Sequence, residues 1–580
     1  MRVVHVELPR TFTLSVKEYM TEAAALLSAA GHGFEQHDIN PNFWKWVLGL
    51  STPRSPRDLF EPLINVEANE GIWPLLAELR GHLKDVTRHY GMPLDLDGIR
   101  LPREVLNSSY AMCTLVADNF GIGLFANFFQ HMEEKLRLRD AGLISLGLES
   151  PEGVFWALQL AAWLRAAGSE AHICIARHAW ENFTLLHHIE DLAKNPWFFG
   201  VISSVILHQE DLPETLAELA QVVCGGDCAT LRNIAAKRAE RVEIIPPAAE
   251  KRIELRTARR GYAVPAEYFH AMDVPAEHLV YSMAMVRNKC FYKKCTFCVQ
   301  IAKHIADHAY AEGPEVERAL DACAALEGHG VGMVNFMDEA MRPVDIRGFC
   351  AGIAARGLKT RWVGRMIAAA HPDRALLAAM KEAGCVEILF GLETFDPALA
   401  KDLGKISRLH EDAGETEKMI ESFLEAGLFL ILSMIYEFPT ERPEARRRTL
   451  ESMKRLQGKS DRFAMIFNRF HLMHRSKIYE NPAGFNIGAI EPRVAENDLQ
   501  YLFNYTQAEG LPQAGGDELR EMHRMSLGVP EEIYPGALER RGRELLDLAY
   551  FLDYVSIGFR HRAQRNATLI ADLFAPGSAR

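Results

Sequence analysis

The sequence predicts an α/β protein: an N-terminal Rossmann-like open sheet, then a partial (β/α)6 TIM-type barrel, then a helical C-terminal region. Three observations predict it. Short apolar runs alternate with helical patterns from Val3 to about residue 225. The alternation breaks over a proline-bearing stretch, restarts at Leu279 and runs through six strand–helix units. Beyond residue 485 helical patterns take over, notably Ala537–Tyr554. The expected boundaries are 1–225, a connector over 226–278, the barrel over 279–485 and the helical region over 486–580.

Composition agrees with a globular chain. The 580 residues are 48% hydrophobic and 24% charged, with 65 Lys+Arg against 77 Asp+Glu and a net charge of −12. That acidic balance lacks the basic footprint of a protein that coats nucleic acid. The N-terminus reaches Glu7 without an apolar leader core. The longest uncharged apolar stretches, Pro196–Leu207 and Gly427–Tyr436, are shorter than the ~18 residues a membrane span needs and read as buried strands. The expectation is a cytoplasmic chain with neither a membrane nor a nucleic-acid partner.

The first sheet is read from strands at Val3–Val6, Phe34–Ile39, Leu143–Leu148 and Ala171–Ile175, with helices at Glu152–Ala167 and Leu212–Val223. Residues 56–138 form a mainly helical insert. The connector carries Pro246, Pro247, Pro265 and Pro275, and its basic run Lys251–Arg260 reads as a solvated face. The barrel strands are Leu279–Val286, Gly332–Met337, Thr360–Gly364, Val386–Gly391, Leu428–Ile435 and Phe463–Phe467. Helical patterns such as Pro314–Leu326, Asp373–Ala383, Thr416–Ala426 and Pro443–Leu456 separate them.

Of ten cysteines, Cys290, Cys295 and Cys298 crowd onto the loop after the first barrel strand, spaced Cys-x4-Cys-x2-Cys. Such crowding points to metal ligation in a reducing compartment. Three thiolates cannot complete an iron–sulfur cube, which takes four ligands, so one iron would stay open to a small molecule. Structural zinc is the alternative, with His304 completing a Cys3His set, and unligated cysteines are the third reading. Position favours iron–sulfur, because catalytic groups of a parallel barrel gather where its strands end. Cys224-Gly225-Gly226-Asp227-Cys228 reads as a turn between domains, and the other five cysteines as packing.

The stretch Arg287 to Cys298 resembles the cysteine loop of the radical S-adenosylmethionine (SAM) enzymes. Their usual triplet is Cys-x3-Cys-x2-Cys, and the four-residue spacer resembles a branch with an N-terminal cobalamin-binding-type domain. The resemblance continues through Asp338-Glu339, Trp362–Arg365, Ala383-Gly384-Cys385 to Gly391-Leu392-Glu393-Thr394, Tyr436–Glu441 and His474–Tyr479. At Tyr436–Glu441 both family glycines are replaced, by Glu437 and Thr440.

What the resemblance implies is a 4Fe–4S cluster on Cys290, Cys295 and Cys298, with SAM on the fourth iron. Phe297 would lie near the adenine, Asp338 or Glu339 would meet the SAM amino group, Arg365 the SAM carboxylate or the substrate, and Gly391 and Glu393 would adjoin SAM. Asp338, Glu339 and Arg365 read equally well as ordinary strand-end acids and a rim salt bridge. The N-terminal domain implies cobalamin, but Asp38-Ile39-Asn40-Pro41-Asn42-Phe43 lacks the histidine and glycine of an Asp-x-His-x-x-Gly motif, which leaves that cofactor open.

The resulting expectation is reductive cleavage of SAM to start radical chemistry on a peptide or small metabolite, with a one-electron donor such as flavodoxin or ferredoxin. With cobalamin the outcome is C-methylation; without it, cyclisation, rearrangement or bond formation. The rival from another class is a zinc-stabilised binding protein.

Overall fold

The computed structural model describes residues 1–10, 15–49, 72–95, 98–119, 123–180, 183–238, 241–247, 262–270, 276–286, 290–299, 314–405, 407, 413–457, 459–460 and 462–529. The basic run Lys251–Arg260, His304 and the Ala537–Tyr554 helix lie outside these residues.

The chain opens with β1 (Arg2–Glu7), whose Val3, Val4 and Val6 are fully buried, as in a strand covered on both faces. It then leaves for the other sheet as β2 (Ser15–Lys17), returns through α1 (Thr21–Ala29), and lays β3 (Gly33–Asp38) parallel to β1. β4 (Leu143–Gly147) pairs with the other edge of β1, followed by β5 (His172–Arg177) and β6 (Ser204–Ile206), all parallel. The parallel strands run 3-1-4-5-6 across the sheet, which places a topological switch point between β1 and β4.

Part of the expected connector belongs to this sheet. β7 (Ile234–Arg238) and β8 (Arg241–Ile245) form a hairpin that extends it antiparallel beside β6. Its strands end before Pro246, so the prolines close the sheet edge instead of marking the whole stretch as irregular. Pro196–Leu207, expected as one strand, splits into a helical turn at Phe198–Val201 and the short β6.

The barrel sheet runs β2, β9 (Val280–Met283), β10 (Met333–Phe336), β11 (Trp362–Ile367), β12 (Cys385–Glu393), β13 (Phe429–Tyr436) and β14 (Phe463–Arg469), all parallel. The six expected strands are present. The seventh, β2, comes from the N-terminal segment and adds to the open edge of β9. Helices at Pro314–Gly328, Pro343–Arg356, Arg374–Glu382, Ala413–Glu425 and Pro443–Leu456 return the chain between strands. Each sheet has its own apolar core, the first centred on Trp44, Phe128, Phe155 and Trp156, the barrel's on Phe336, Trp362, Phe390 and Phe423.

In the first thirty residues after the barrel, strands and loops stand where helices were expected. From residue 486 to 515 the described chain forms only short strands at Ile487–Ile490, Leu502–Phe503 and Tyr505–Gln507, and the helix Gly516–Leu527 follows. Gly488, Pro492, Gly510, Pro512 and Gly515 interrupt any helical run there. Among the described residues no helix is long and apolar enough to cross a membrane.

Candidate active site

The cysteine loop leaves the C-terminal end of β9, and three separate segments fasten it. The first is Asp338, just past β10. Its two carboxylate oxygens accept the backbone N–H of Met285 at 2.6 Å and of Val286 at 2.7 Å. Burial pushes this carboxyl up to about 6, and the two amide bonds pull against that shift. Nearby, Cys290 makes a parallel bridge with Ala340.

The second clamp is the end of the short helix Pro397–Asp402. Thr296 donates its N–H to the Leu403 carbonyl at 3.0 Å and its hydroxyl to the Asp402 carbonyl at 2.7 Å. Tyr292 donates its hydroxyl to the Gly404 carbonyl at 2.8 Å. Gly404 has φ +71, and a Cβ there would stand 2.4 Å from the Lys294 carbonyl oxygen, so only glycine fits. The third clamp follows β14: Ile478 donates its N–H to the Thr296 carbonyl at 3.0 Å, and Lys477 Nζ reaches the Lys294 carbonyl at 3.3 Å.

Within this frame Cys295 is buried while Cys290 and Cys298 are half-buried, and none of the three is in a disulfide. Phe297 points its partly buried ring into an apolar cluster containing Leu403, Ile435, Phe438 and Phe503. Burial pushes the Cys295 thiol up to about 11, and the Lys405 ammonium pulls against it more strongly than Glu393 supports it.

Lys405 is the residue that sequence reasoning missed. It is buried at 5% exposure, with Nζ 2.8 Å from Glu393 Oε1 and 3.4 Å from the Gly391 carbonyl. Burial alone would lower its pKa; Glu393 and then Cys295 outweigh that and hold it above the usual lysine range. Glu393 adopts a left-handed backbone, φ 74, just where β12 slips register against β13. Gly391 makes room for the pair, since a Cβ there would meet Lys405 Nζ at 2.8 Å and Glu393 Oε1 at 2.9 Å.

From this pair a polar row crosses the barrel mouth. Ser433 on β13 donates to Glu393 Oε2 at 3.5 Å, and Asn468 on β14 donates to Ser433 at 3.1 Å. Arg365 lies on β11 in register with Leu389, and Glu339 follows Asp338; both are half-buried. The structure thus brings Asp338, Gly391 and Glu393 around the loop that carries the three cysteines.

Among the described residues no three His, Cys, Asp or Glu side chains form a ready-made metal cage. The donor set nonetheless suits an iron–sulfur cluster. It offers three soft thiolates on one clamped loop beside a buried cation, where tetrahedral structural zinc asks for four N or S ligands.

The first sheet presents its switch point as a knot of ion pairs. Arg177 Nη1 stands 2.5 Å from Glu7 Oε1, and Arg10 Nη2 stands 2.8 Å from Asp38 Oδ2. Glu149, after β4, pairs with both Arg10 and Lys17, and Arg318 of the barrel pairs with Glu18. The Asp38 carboxylate is committed to Arg10 and to the N–H of Asn40. Residues 8–14 after β1 include no histidine.

Comparison with known proteins places the fold. No protein-family model matches the chain. The radical S-adenosylmethionine methyltransferase TsrM of Kitasatospora setae, solved with tryptophan and a SAM analog, superposes with a TM-score of 0.59 over 98% of both chains at 14% identity. The same protein with cobalamin and a [4Fe-4S] cluster gives 0.57 over 99% of this chain and 100% of that one, at 13% identity. The cobalamin-dependent SAM radical enzyme OxsB gives 0.53 over 100% of this chain and 74% of that one, at 10% identity. The chain therefore shares the fold of these solved structures across its length. An uncharacterized methyltransferase of Pyrococcus horikoshii is 26% identical over 204 residues, 33% of this chain. The chain covers 40% of that relative's length.

Proposed function

We propose that the chain is a cobalamin-dependent radical SAM methyltransferase acting on a small metabolite or peptide. The observation that carries this reading is the Cys-x4-Cys-x2-Cys loop clamped at the barrel mouth, in a fold shared end to end with enzymes of that kind. When bound, the cluster supplies one electron for SAM cleavage and cobalamin carries the methyl group.

Cys290, Cys295 and Cys298 would hold three irons. Asp338 and the segments at residues 402–404 and 477–478 keep the cysteine loop in place. Glu393, Gly391, Glu339, Arg365 and Phe297 would meet SAM, with carboxylates suited to its ammonium and hydroxyl groups and Arg365 suited to its carboxylate. The apolar cluster of Leu389, Phe429, Ile431, Ala464 and Ile466 would help keep water from a substrate bound in the barrel. A flavodoxin- or ferredoxin-type donor would supply the electron, in a reducing cytoplasm.

Anaerobic reconstitution with iron, sulfide and hydroxocobalamin tests the reading. It expects about four irons and four sulfides per chain, bound corrinoid, and SAM turnover on adding reductant. Cys→Ala at any of the three positions should abolish the cluster. Stoichiometric zinc without SAM turnover would sink the proposal. A cluster without corrinoid would move it to a cobalamin-independent radical reaction.

A further inference from the structure

An ammonium taken out of water is costly unless strong partners hold it. Lys405 has one negative partner, the Glu393 carboxylate at 2.8 Å, reinforced by the Gly391 carbonyl at 3.4 Å. The residues just before it pack on the cysteine loop. The preceding residue, Gly404, packs so closely that an added Cβ would stand 3.3 Å from the Cys295 Cα. As iron-bound thiolates, Cys295 and Cys298 would place negative charge beside this segment.

The arrangement is directional. Lys405 is fixed by backbone contacts of residues 402–404 to the cysteine loop, whereas Glu393 is carried by β12. The cation therefore belongs to the loop's clamp and the acid to the barrel wall. The clamp at residues 402–404 does not use the Lys405 charge, because it is made by backbone atoms and the Thr296 and Tyr292 hydroxyls.

We infer that Lys405 sets the reduction potential of the cluster held by Cys290, Cys295 and Cys298, its ammonium stabilising the extra negative charge of the reduced state while Glu393 tempers it. The inference rests on the proposed cluster. The step it governs is one-electron uptake: the external donor is oxidised by one electron, the cluster is reduced by one, and no bond or proton changes place. Lys405 is a positioning residue for charge, acting through space on the cluster and not as a ligand.

The test compares wild type with K405M, K405R and E393Q, each reconstituted anaerobically without SAM and titrated with dithionite, counting reduced cluster by EPR. At the wild-type midpoint K405M should hold about tenfold less reduced over oxidised cluster, which is about 59 mV for a one-electron couple. E393Q leaves the ammonium untempered and should move the ratio the other way. K405R keeps the charge and should stay within about twofold of wild type. A simple structural role would alter iron content without opposite-signed shifts.

Shifts of the same sign in K405M and E393Q, or no shift in either at full iron content, would overturn the inference. Should K405M fail to hold its cluster, E393Q decides: an upward shift supports the role and an unmoved midpoint ends it. A wild-type chain that takes up no iron–sulfur cluster defeats the underlying reading and this inference together. Unmoved midpoints in cluster-loaded protein defeat this inference alone.

Discussion

Asp338 accepts the backbone N–H of Val286 at 2.7 Å with one oxygen and that of Met285 with the other. The segment just after β9 hangs from a carboxylate just after β10, immediately before the cysteine loop begins. Only an acceptor on both sides can do this. Asp338→Asn offers one carbonyl oxygen and turns an NH2 toward the remaining amide. It should destabilise the loop by about 1–3 kcal/mol, the cost of a buried group left unpaired. Iron retained per chain after gel filtration should fall in parallel with the urea midpoint. Full iron and unchanged stability would show that the amides find other partners.

Thr296 offers a milder probe of the second clamp. Its hydroxyl donates to the Asp402 carbonyl at 2.7 Å, while its N–H holds Leu403. Thr296→Val keeps the shape and the backbone bond but removes the hydroxyl. A net hydrogen bond of this type contributes about 0.5–1.5 kcal/mol, so Cys295 in the cluster-free chain should alkylate roughly two- to tenfold faster. Equal rates would place the restraint in the backbone bonds alone.

Gly391 tests the packing around the buried ion pair. Gly391→Ala puts a methyl 2.8 Å from Lys405 Nζ and 2.9 Å from Glu393 Oε1, closer than such contacts allow. The charged ends must separate or β12 must shift. SAM affinity measured by equilibrium dialysis on cluster-loaded protein should drop by about tenfold or more, matching ~1.4 kcal/mol. An unchanged affinity would argue that the pair relaxes freely.

The strands and the cysteine loop were legible because each has a local signature: apolar runs of strand length and thiol spacing. Asp338 and Glu393 were visible as strand-end acids, but their partners were not. Asp338 serves backbone amides 52 and 53 residues away, and Glu393 serves a lysine in an irregular loop. Lys405 carries no periodic or motif signal, since its importance arises from burial alone. β2 escaped notice because three residues, Ser15–Lys17, form a strand only by pairing with Val280–Ser282. The β7–β8 hairpin was hidden by the prolines just after it.

Arg177 and Glu7 test the knot at the first sheet's switch point. Glu7 is buried, and although burial raises its pKa, Arg177 and His5 hold it well below the carboxylate range. Arg177→Met strips away the main counter-charge and strands the carboxylate. Breaking a buried pair this way costs about 3–5 kcal/mol, and the lower end applies because Arg177 is 27% exposed. Adding Glu7→Gln should recover part of the loss. A double variant no better than the single would mean that His5 alone satisfies Glu7.

The last prediction concerns pH. His172 on β5 bonds the Ser204 hydroxyl at 2.8 Å, and burial, then Arg165, lowers its pKa to about 4. In the unfolded chain a histidine titrates near ~6.5. Above that pH both states are neutral and the group contributes no pH dependence. Between about 6.5 and 4 the unfolded chain binds a proton that the native one refuses, so stability falls as pH falls. The loss amounts to about 3 kcal/mol by pH 4 and is complete just below it. His172→Gln keeps a polar partner for Ser204 and removes the titration. Urea midpoints of wild type should therefore decline against those of the variant from pH 7 to 4.5, while a constant gap would show that His172 protonates without penalty.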